Sequence, residues 1–124
     1  MAVVSSSDLG RRGESAAAAH LQDLGWRIVD RNIRSGRKEV DLVIRRGRVI
    51  AFVEVKTRRG ETFGHPLEAI TRKKRAEIRA VAGEWLRTNR VPPGTLYRFD
   101  AVAVHWPRGG RPRIVHVPDA WRWE

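Results

Sequence analysis

Residues 39–56 read EVDLVIRRGRVIAFVEVK, two apolar runs separated by a short basic stretch with one glycine. The runs are rich in β-branched residues and too short for helices, so they predict two β-strands joined as a hairpin at Arg46-Gly47. Burying a charge in such a strand is costly unless the charge is paired or binds a metal ion, so acids here indicate either salt bridges to nearby arginines or a functional site. Four charged residues lie in the runs: Glu39, Asp41, Glu54 and Lys56.

The alternation of side chains along a strand predicts which of these residues share a face. It places the four charged residues on one face. With Arg46-Gly47 as the two-residue loop, Asp41 would lie opposite Phe52, and Glu54 would be its diagonal neighbour at about 7 to 8 Å between Cα atoms. A slip of one residue would separate the two acids. The opposite face is expected to carry four apolar residues: Val40, Leu42, Val53 and Val55.

Two neighbouring carboxylates and a backbone carbonyl form a hard-oxygen site of the kind that binds Mg²⁺ or Mn²⁺. We expect Asp41, Glu54 and the carbonyl group of Val55 to hold such an ion, with water and phosphate oxygens at the other positions. Lys56 is expected to stabilise negative charge on a scissile phosphate, or to orient the attacking water. The four histidines show no metal-binding spacing, and only His65 lies in a loop that could border the site.

Glu39 favours a structural role, paired with Arg37 or Arg58, although its shared face leaves a supporting role at the metal open. Glu14 lies in residues 14–24, a predicted helix that ends at Gly25, on the same stripe as the packing residues. It is either a site acid or a first-turn acid favoured by the helix dipole.

The remaining segments follow from periodicity and breaker residues. Residues 1–7 are expected to form a loose tail. A second helix is predicted from Pro66 to about Thr88, with a break near Thr71, and Lys74 extends its apolar stripe. Trp121 and Trp123 are expected to pack over the sheet or to form a dimer contact. The other predicted strands are residues 26–32, 95–106 and 113–117. Residues 119–124 are expected to form a short terminal turn or tail.

The chain has 124 residues, which fits a single domain, residues 1–124. It has no cysteine, which excludes disulfides, thiolate zinc sites and thiol nucleophiles. No segment is apolar enough to cross a membrane or to act as a signal peptide, so we expect a cytoplasmic protein. The net charge of +11 favours polyanions, nucleic acid before membrane. The residues expected to bind nucleic acid are Arg11, Arg12, Arg58, Arg59, Lys73 and Lys74.

Five segments together resemble the YraN-like family of the PD-(D/E)xK nuclease superfamily: GRRGESAAAAHL, KEVDLVI, FVEVKTR, AITRKKRAEI with AGEWL, and RFDAVAV. The resemblance extends from about Gly10 to Trp121. It implies an α/β fold with a restriction-endonuclease-like core, in which a mixed central β-sheet is flanked by helices. It also implies a likeness to archaeal Holliday-junction resolvases.

The resemblance gives individual residues their roles. Asp41 matches the motif aspartate, and Glu54 and Lys56 match the E-x-K pair. Glu14 matches the helix acid that related resolvases place near the metal, and Lys74 matches a lysine on the helix after the loop. The matching Arg98 and Asp100 favour a buried pair that fixes the sheet over direct catalysis.

The expected function is a Mg²⁺- or Mn²⁺-dependent nuclease that hydrolyses DNA with water as the nucleophile. Branched repair or recombination intermediates are candidate substrates. The alternative is a non-catalytic nucleic-acid-binding module on the same fold. The resemblance favours DNA over RNA as the substrate. Likeness to resolvases favours a symmetric homodimer, because two active sites would cut a junction symmetrically.

Overall fold

The computed structural model describes residues 6–60 and 70–123. Its elements in chain order are α1 (Ser6–Asp23), β1 (Arg27–Ser35), β2 (Lys38–Arg46), β3 (Val49–Arg58), α2 (Arg72–Thr88), β4 (Leu96–His105) and β5 (Arg113–Trp121).

The five strands form one mixed sheet in the order β1-β2-β3-β4-β5. Strands β3 and β4 are parallel, and the other neighbouring pairs are antiparallel. A parallel pair needs a long connection, and here that connection contains α2. The prediction of an α/β fold with a mixed sheet flanked by helices is confirmed.

Each helix covers its own face of the sheet, because neighbouring residues of a strand point to opposite faces. Ala17, Ala18 and Leu21 of α1 pack against one set of strand residues that includes Val53. The next strand residue back, Phe52, belongs to the other set, which packs against α2. Two cores therefore hold the sheet between the helices. The α2 residues buried in the second core are Ile78, Val81, Ala82 and Trp85.

An aromatic cluster closes the core under α2. Phe52 contacts Trp85 and Phe99, each with ring centroids 5.8 Å apart. Trp121 stacks on Phe99 at 5.5 Å, and Trp123 meets Phe99 edge to face at 4.7 Å. Such pairs each add about 0.5–1.5 kcal/mol beyond their buried area. The prediction that Trp121 and Trp123 pack over the sheet is confirmed.

The ends of several elements differ from the sequence prediction. Helix α1 begins at Ser6, so part of the expected tail is helical and Glu14 lies in mid-helix, which excludes a first-turn dipole role for it. Helix α2 begins where the break was expected: Thr71 is the N-cap, and its hydroxyl accepts a hydrogen bond from the Lys74 N–H at 3.1 Å. The predicted helical residues 66–69 lie outside the described residues.

The last strand is longer than predicted. Strand β5 extends to Trp121, so residues 119–121, expected as a turn or tail, belong to the sheet. Asp119 has a φ of +52°, and the register between β4 and β5 shifts near it. The Asp119 N–H donates to Asp100 Oδ1 at 3.0 Å. This bond holds the chain on the sheet across the irregularity, after which Trp121 pairs with Phe99.

Gly13 allows α1 to lie directly on β3. A Cβ atom at this position would clash with the Thr57 hydroxyl and lie 2.7 Å from Thr57 Cβ, which a β-branched side chain has little freedom to relieve. We expect Gly13→Ala to lower the free energy of unfolding by about 1–3 kcal/mol and to displace the adjacent Glu14. Chemical denaturation measures this loss.

The matched control is Gly10→Ala, since Gly10 is on the same helix and a Cβ there meets no atom within 4 Å. This change is expected to raise stability by up to about 1 kcal/mol. Equal effects of the two substitutions would contradict the close packing of α1 on β3.

Candidate functional site

The hairpin of β2 and β3 brings Asp41 and Glu54 together. Arg46 pairs with Val49 and Leu42 pairs with Val53, so the loop is Gly47-Arg48 rather than Arg46-Gly47. Gly47 has a φ of +59°, which suits the tight turn. The predicted register, with Asp41 opposite Phe52, was therefore wrong by two residues. The pairing ends at Leu42 with Val53, and Asp41 and Glu54 are the next residues along the two strands.

Strand β2 departs from regular alternation at Asp41. Val40 packs in the α2 core together with Val43, whereas Leu42 packs in the α1 core with Val53 and Val55. Four apolar residues were predicted to share one face of the hairpin. The prediction is correct for Leu42, Val53 and Val55 and wrong for Val40. Two residues of unlike parity can share a face only where the strand is locally irregular. The irregularity frees Asp41 from the ladder, and its Oδ2 accepts a hydrogen bond from the Val55 N–H at 2.7 Å.

Both carboxyl groups are buried, Asp41 at 7% and Glu54 at 4% exposure. Burial, followed by the charge of Glu54 and an interaction with Glu14, raises the pKa of Asp41 to about 9, against the opposing hydrogen bond from the Val55 N–H. Burial also raises the pKa of Glu54, although Lys74 and Lys56 oppose it. A cation binds ionised carboxylates, so binding at these two acids would displace their protons and would become stronger as pH rises.

Two lysines approach Glu54 from different elements. The Nζ atom of Lys56 on β3 lies 3.8 Å from Glu54 Oε1, and that of Lys74 on α2 lies 4.0 Å from the same oxygen. The other oxygen, Oε2, is buried and accepts no hydrogen bond from any residue that the structure describes. A buried acceptor without a donor is unfavourable, so this oxygen is suited to a cation or its water.

The polar side chain of Asn32 on β1 joins two further acids to the site. Its Nδ2 lies 3.0 Å from Glu39 Oε1 and 3.3 and 3.4 Å from the two carboxylate oxygens of Glu14. Glu39 also lies 3.7 Å from Arg34 Nε, so its ion pair is with Arg34 rather than the predicted Arg37 or Arg58.

A groove of about 330 Å³ opens beside these acids. Sequence reasoning missed Asn32, and the only signal for it was an asparagine inside a predicted strand. The lining residues of the groove are Gly10, Arg11, Glu14, Asn32, Arg34 and Glu39.

The donor set fits a hard divalent cation. No group of three or more histidine, aspartate or glutamate side chains in residues 6–60 and 70–123 is already arranged as a metal cage. Mg²⁺ seldom needs one, because it is usually held by one or two carboxylates together with waters and substrate phosphates. Asp41 and Glu54 would supply those carboxylates. The role of the Val55 carbonyl stays a prediction, since the contact observed at Val55 is made by its N–H.

Most of the predicted basic residues line the surface around α1 and the end of β3. The Arg12 guanidinium lies 4.5 Å from the centroid of the Trp106 ring, and Arg59 donates to the Trp106 carbonyl at 3.4 Å. Arg11 is exposed and forms an ion pair with Asp8. Arg58 and Lys73 are exposed, whereas Lys74 is half-buried and faces Glu54. A second groove of about 420 Å³ is lined by Arg11, Arg12, Ser15, Ala16 and Trp106.

Asp100 lies in a buried polar network rather than among the site acids. It is fully buried, and Arg98 donates to both of its oxygens at 2.9 and 3.1 Å. His116 Nε2 lies 2.7 Å from Oδ2. Burial raises the pKa of Asp100, but the bonds from His116, Arg98 and the Asp119 N–H outweigh burial and hold it below its usual value. These contacts fix β5 to β4, as the structural prediction for the Arg98–Asp100 pair requires.

The remaining histidines stand apart. His20 lies in the last turn of α1, and the Nδ1 atom of His105 lies 2.9 Å from Arg113 Nη2. His65 lies outside the described residues.

Neither α1 nor α2 combines the length and apolar character that crossing a bilayer requires, and this holds for the described part of the chain.

Sequence comparison gives a consistent result. The model of the family described as "Uncharacterised protein family UPF0102" matches residues 13–104. The UPF0102 protein of Clavibacter michiganensis subsp. michiganensis is 47% identical over 113 residues, which cover 91% of this chain and 95% of the relative. The UPF0102 protein of Rhodococcus jostii is 48% identical over 113 residues, with the same coverage of 91% and 95%. That of Frankia alni is 42% identical over 121 residues, or 98% of this chain and 100% of the relative. The chain therefore belongs to the UPF0102 family, the YraN-like family that its motifs resemble.

Proposed function

We propose that the protein is a Mg²⁺- or Mn²⁺-dependent nuclease that hydrolyses phosphodiester bonds in DNA. The observation that carries this proposal is the pair of buried acids, Asp41 and Glu54, on facing strands beside two lysines. A hydrophobic sheet tolerates such acids poorly unless a cation compensates them. The role of an acid pair next to E-x-K in the PD-(D/E)xK superfamily, which the motifs resemble, supports the same reading.

The fold is proposed to be restriction-endonuclease-like. The support is the order of elements around the site: a helix with an acid, a hairpin with the acid pair, and a helix that crosses to a parallel strand. Glu14 from α1 and Lys74 from α2 reach the hairpin from opposite faces of the sheet. The two helices thus converge on one end of the hairpin.

In this mechanism each residue has a defined task. Asp41 and Glu54 would hold the ion, and the nearby charge of Glu14 would add to the negative potential at the site. The bound ion would polarise the phosphoryl group and lower the pKa of a neighbouring water. Lys56 and Lys74 place two positive charges where negative charge accumulates on the phosphoryl oxygens. Water forms one bond to phosphorus as the bond to the leaving sugar oxygen breaks, and no covalent intermediate with the chain is needed.

The DNA grip is proposed to come from exposed arginines near the site. Arg11 lines both grooves, the one with Glu14 and Glu39 and the one with Trp106, so a strand held at Arg11 would pass close to Glu14 and Glu39. Such contacts hold phosphates and carry little sequence preference. Family resemblance alone favours DNA over RNA as the substrate, and branched DNA is a candidate beside duplex and single-stranded DNA. A symmetric homodimer would cut a four-way junction on two strands.

The alternative is a module that binds nucleic acid without cleaving it. The observation in its favour is that the described residues contain no ready three-ligand cage for a metal ion. Steep salt dependence of binding is expected from both candidates, so it does not separate them.

Cleavage assays on labelled substrates separate the two candidates. The panel contains duplex, flap, single-stranded and four-way DNA, with matched RNA, in Mg²⁺, Mn²⁺ or a chelator. A nuclease gives metal-dependent products from at least one substrate. Binding to all of them with no product in either metal would contradict the nuclease and favour the module.

A further inference from the structure

We propose that Asn32 is a positioning residue that fixes Glu14 beside Asp41 and thereby sets the affinity of the acidic site for a divalent cation. This inference rests on the cation-binding part of the proposed function, and it requires no particular substrate.

The backbone at Asn32 is unusual for a strand. Asn32 has a φ of +47°, a left-handed conformation that asparagine tolerates better than most residues. Arg31 pairs with Leu42 and Ile33 pairs with Val40, so Asn32 lies level with Asp41 on the neighbouring strand. The left-handed residue of β1 and the irregularity of β2 therefore occur at the same level. Backbone strain of this kind persists where the surrounding structure requires it, often at functional sites.

The side chain of Asn32 connects three elements. Its amide nitrogen lies within 3.4 Å of both carboxylate oxygens of Glu14 on α1, and within 3.0 Å of Glu39 on β2. Glu14 in turn lies near enough to Asp41 for its charge to raise the pKa of Asp41. The contacts thus link Asn32 to Glu14, which lies near Asp41, while an oxygen of the buried Glu54 has no donor among the described residues.

The chemistry of the amide explains why this position suits asparagine. Glu14, Glu39, Asp41 and Glu54 are like-charged when ionised, so Glu14 would turn away to solvent without a neutral donor facing it. The amide supplies donors without adding a charge that would compete with a bound cation. In metal sites, partners that orient the ligands typically change affinity by about 10- to 100-fold when removed.

The test measures Mn²⁺ affinity by calorimetry, with no activity assay needed. Asn32→Gly keeps the left-handed backbone accessible and removes only the amide, so we expect about 10-fold weaker Mn²⁺ binding with stability at or above that of the wild type. Asn32→Asp keeps the shape and replaces the donors with a carboxylate group, and it is expected to change the pH dependence of binding. The matched control is Asp119→Gly on β5, the other non-glycine residue with a positive φ among those that the structure describes, and it should leave affinity unchanged.

Double variants test whether Asn32 acts through Glu14. In a Glu14→Gln background, Asn32→Gly should weaken Mn²⁺ binding by less than about 2-fold, because the Glu14 carboxylate that Asn32 positions is already absent. In a Glu39→Gln background it should keep its full effect. A wild-type affinity in Asn32→Gly would overturn the role of Asn32 and leave the metal site standing. A wild-type protein that binds no Mn²⁺ would overturn the metal site itself, and this role with it.

Discussion

Glu54→Ala should reduce metal-dependent DNA cleavage by at least about 10³-fold. The substitution removes a carboxylate group that faces Asp41 and that sits between the ammonium groups of Lys56 and Lys74. Without the Glu54 carboxylate, the metal ion loses one of its two proposed protein ligands. The positive charges of Lys56 and Lys74 then lose their acidic partner. Initial rates on the best substrate of the panel, at saturating Mg²⁺, measure the loss.

Lys56→Ala tests the second half of the same site. The metal ligands remain, so we expect Mn²⁺ binding near that of the wild type and a cleavage rate lower by about 10²–10⁴-fold. The matched controls are Glu84→Ala and Lys38→Ala, exposed residues on α2 and at the start of β2. Cleavage at an unchanged rate in both Glu54→Ala and Lys56→Ala would exclude this site as the nuclease centre.

The second large effect is on stability and its pH dependence. Burial and the neighbouring Glu54 raise the pKa of Asp41 from 3.8 to about 9. Between those values the unfolded chain has released this proton and the folded chain keeps it, so the free energy of unfolding falls as pH rises. Asp41→Asn removes this penalty, and its amide can still accept from Val55. We expect the variant to be more stable by about 3 kcal/mol at pH 8, with little difference near pH 4.

Urea unfolding at pH 4, 6 and 8 in the presence of a chelator measures this effect. Asp23→Asn, an exposed aspartate at the end of α1, serves as the matched control and should keep the wild-type slope of stability with pH. Mg²⁺ added in place of the chelator should stabilise the wild type at pH 8 more than it stabilises Asp41→Asn. A wild-type slope in Asp41→Asn would mean that Asp41 is ionised in the folded protein at neutral pH.

Much of the fold follows from local patterns. The stripes of Ala17, Ala18 and Leu21, and of Ile78 and Trp85, predict both helices and the faces that they bury. Apolar runs predict all five strands. The ends were harder, because they depend on distant contacts. Residues 119–121 remain in the sheet through a bond from Asp119 to Asp100, which no local pattern reveals.

The register of the hairpin shows why the site was predicted only in part. Sequence identified Asp41 and Glu54, but it placed the loop one residue too early and made the acids diagonal neighbours. Either loop keeps the same parity, so the pattern of apolar residues could not decide between them.

The contacts that assemble the site come from tertiary packing. The sequence placed Lys74 on the apolar stripe of α2 and among the residues expected to bind nucleic acid, but it did not predict the approach of Lys74 to Glu54. The link from Asn32 to Glu14 depends on a positive φ and on the close packing of α1 at Gly13. Neither feature has a periodic signal in the sequence.

Titration of the metal-free protein with Mn²⁺, followed by calorimetry at pH 8, tests the central claim most directly. If Asp41 and Glu54 coordinate one cation, the wild type should bind Mn²⁺ with release of protons. Asp41→Asn and Glu54→Ala should each bind Mn²⁺ at least about 10-fold more weakly than the wild type. Equal binding by all three proteins, or no binding by the wild type, would contradict the claim that these two buried acids form a metal site.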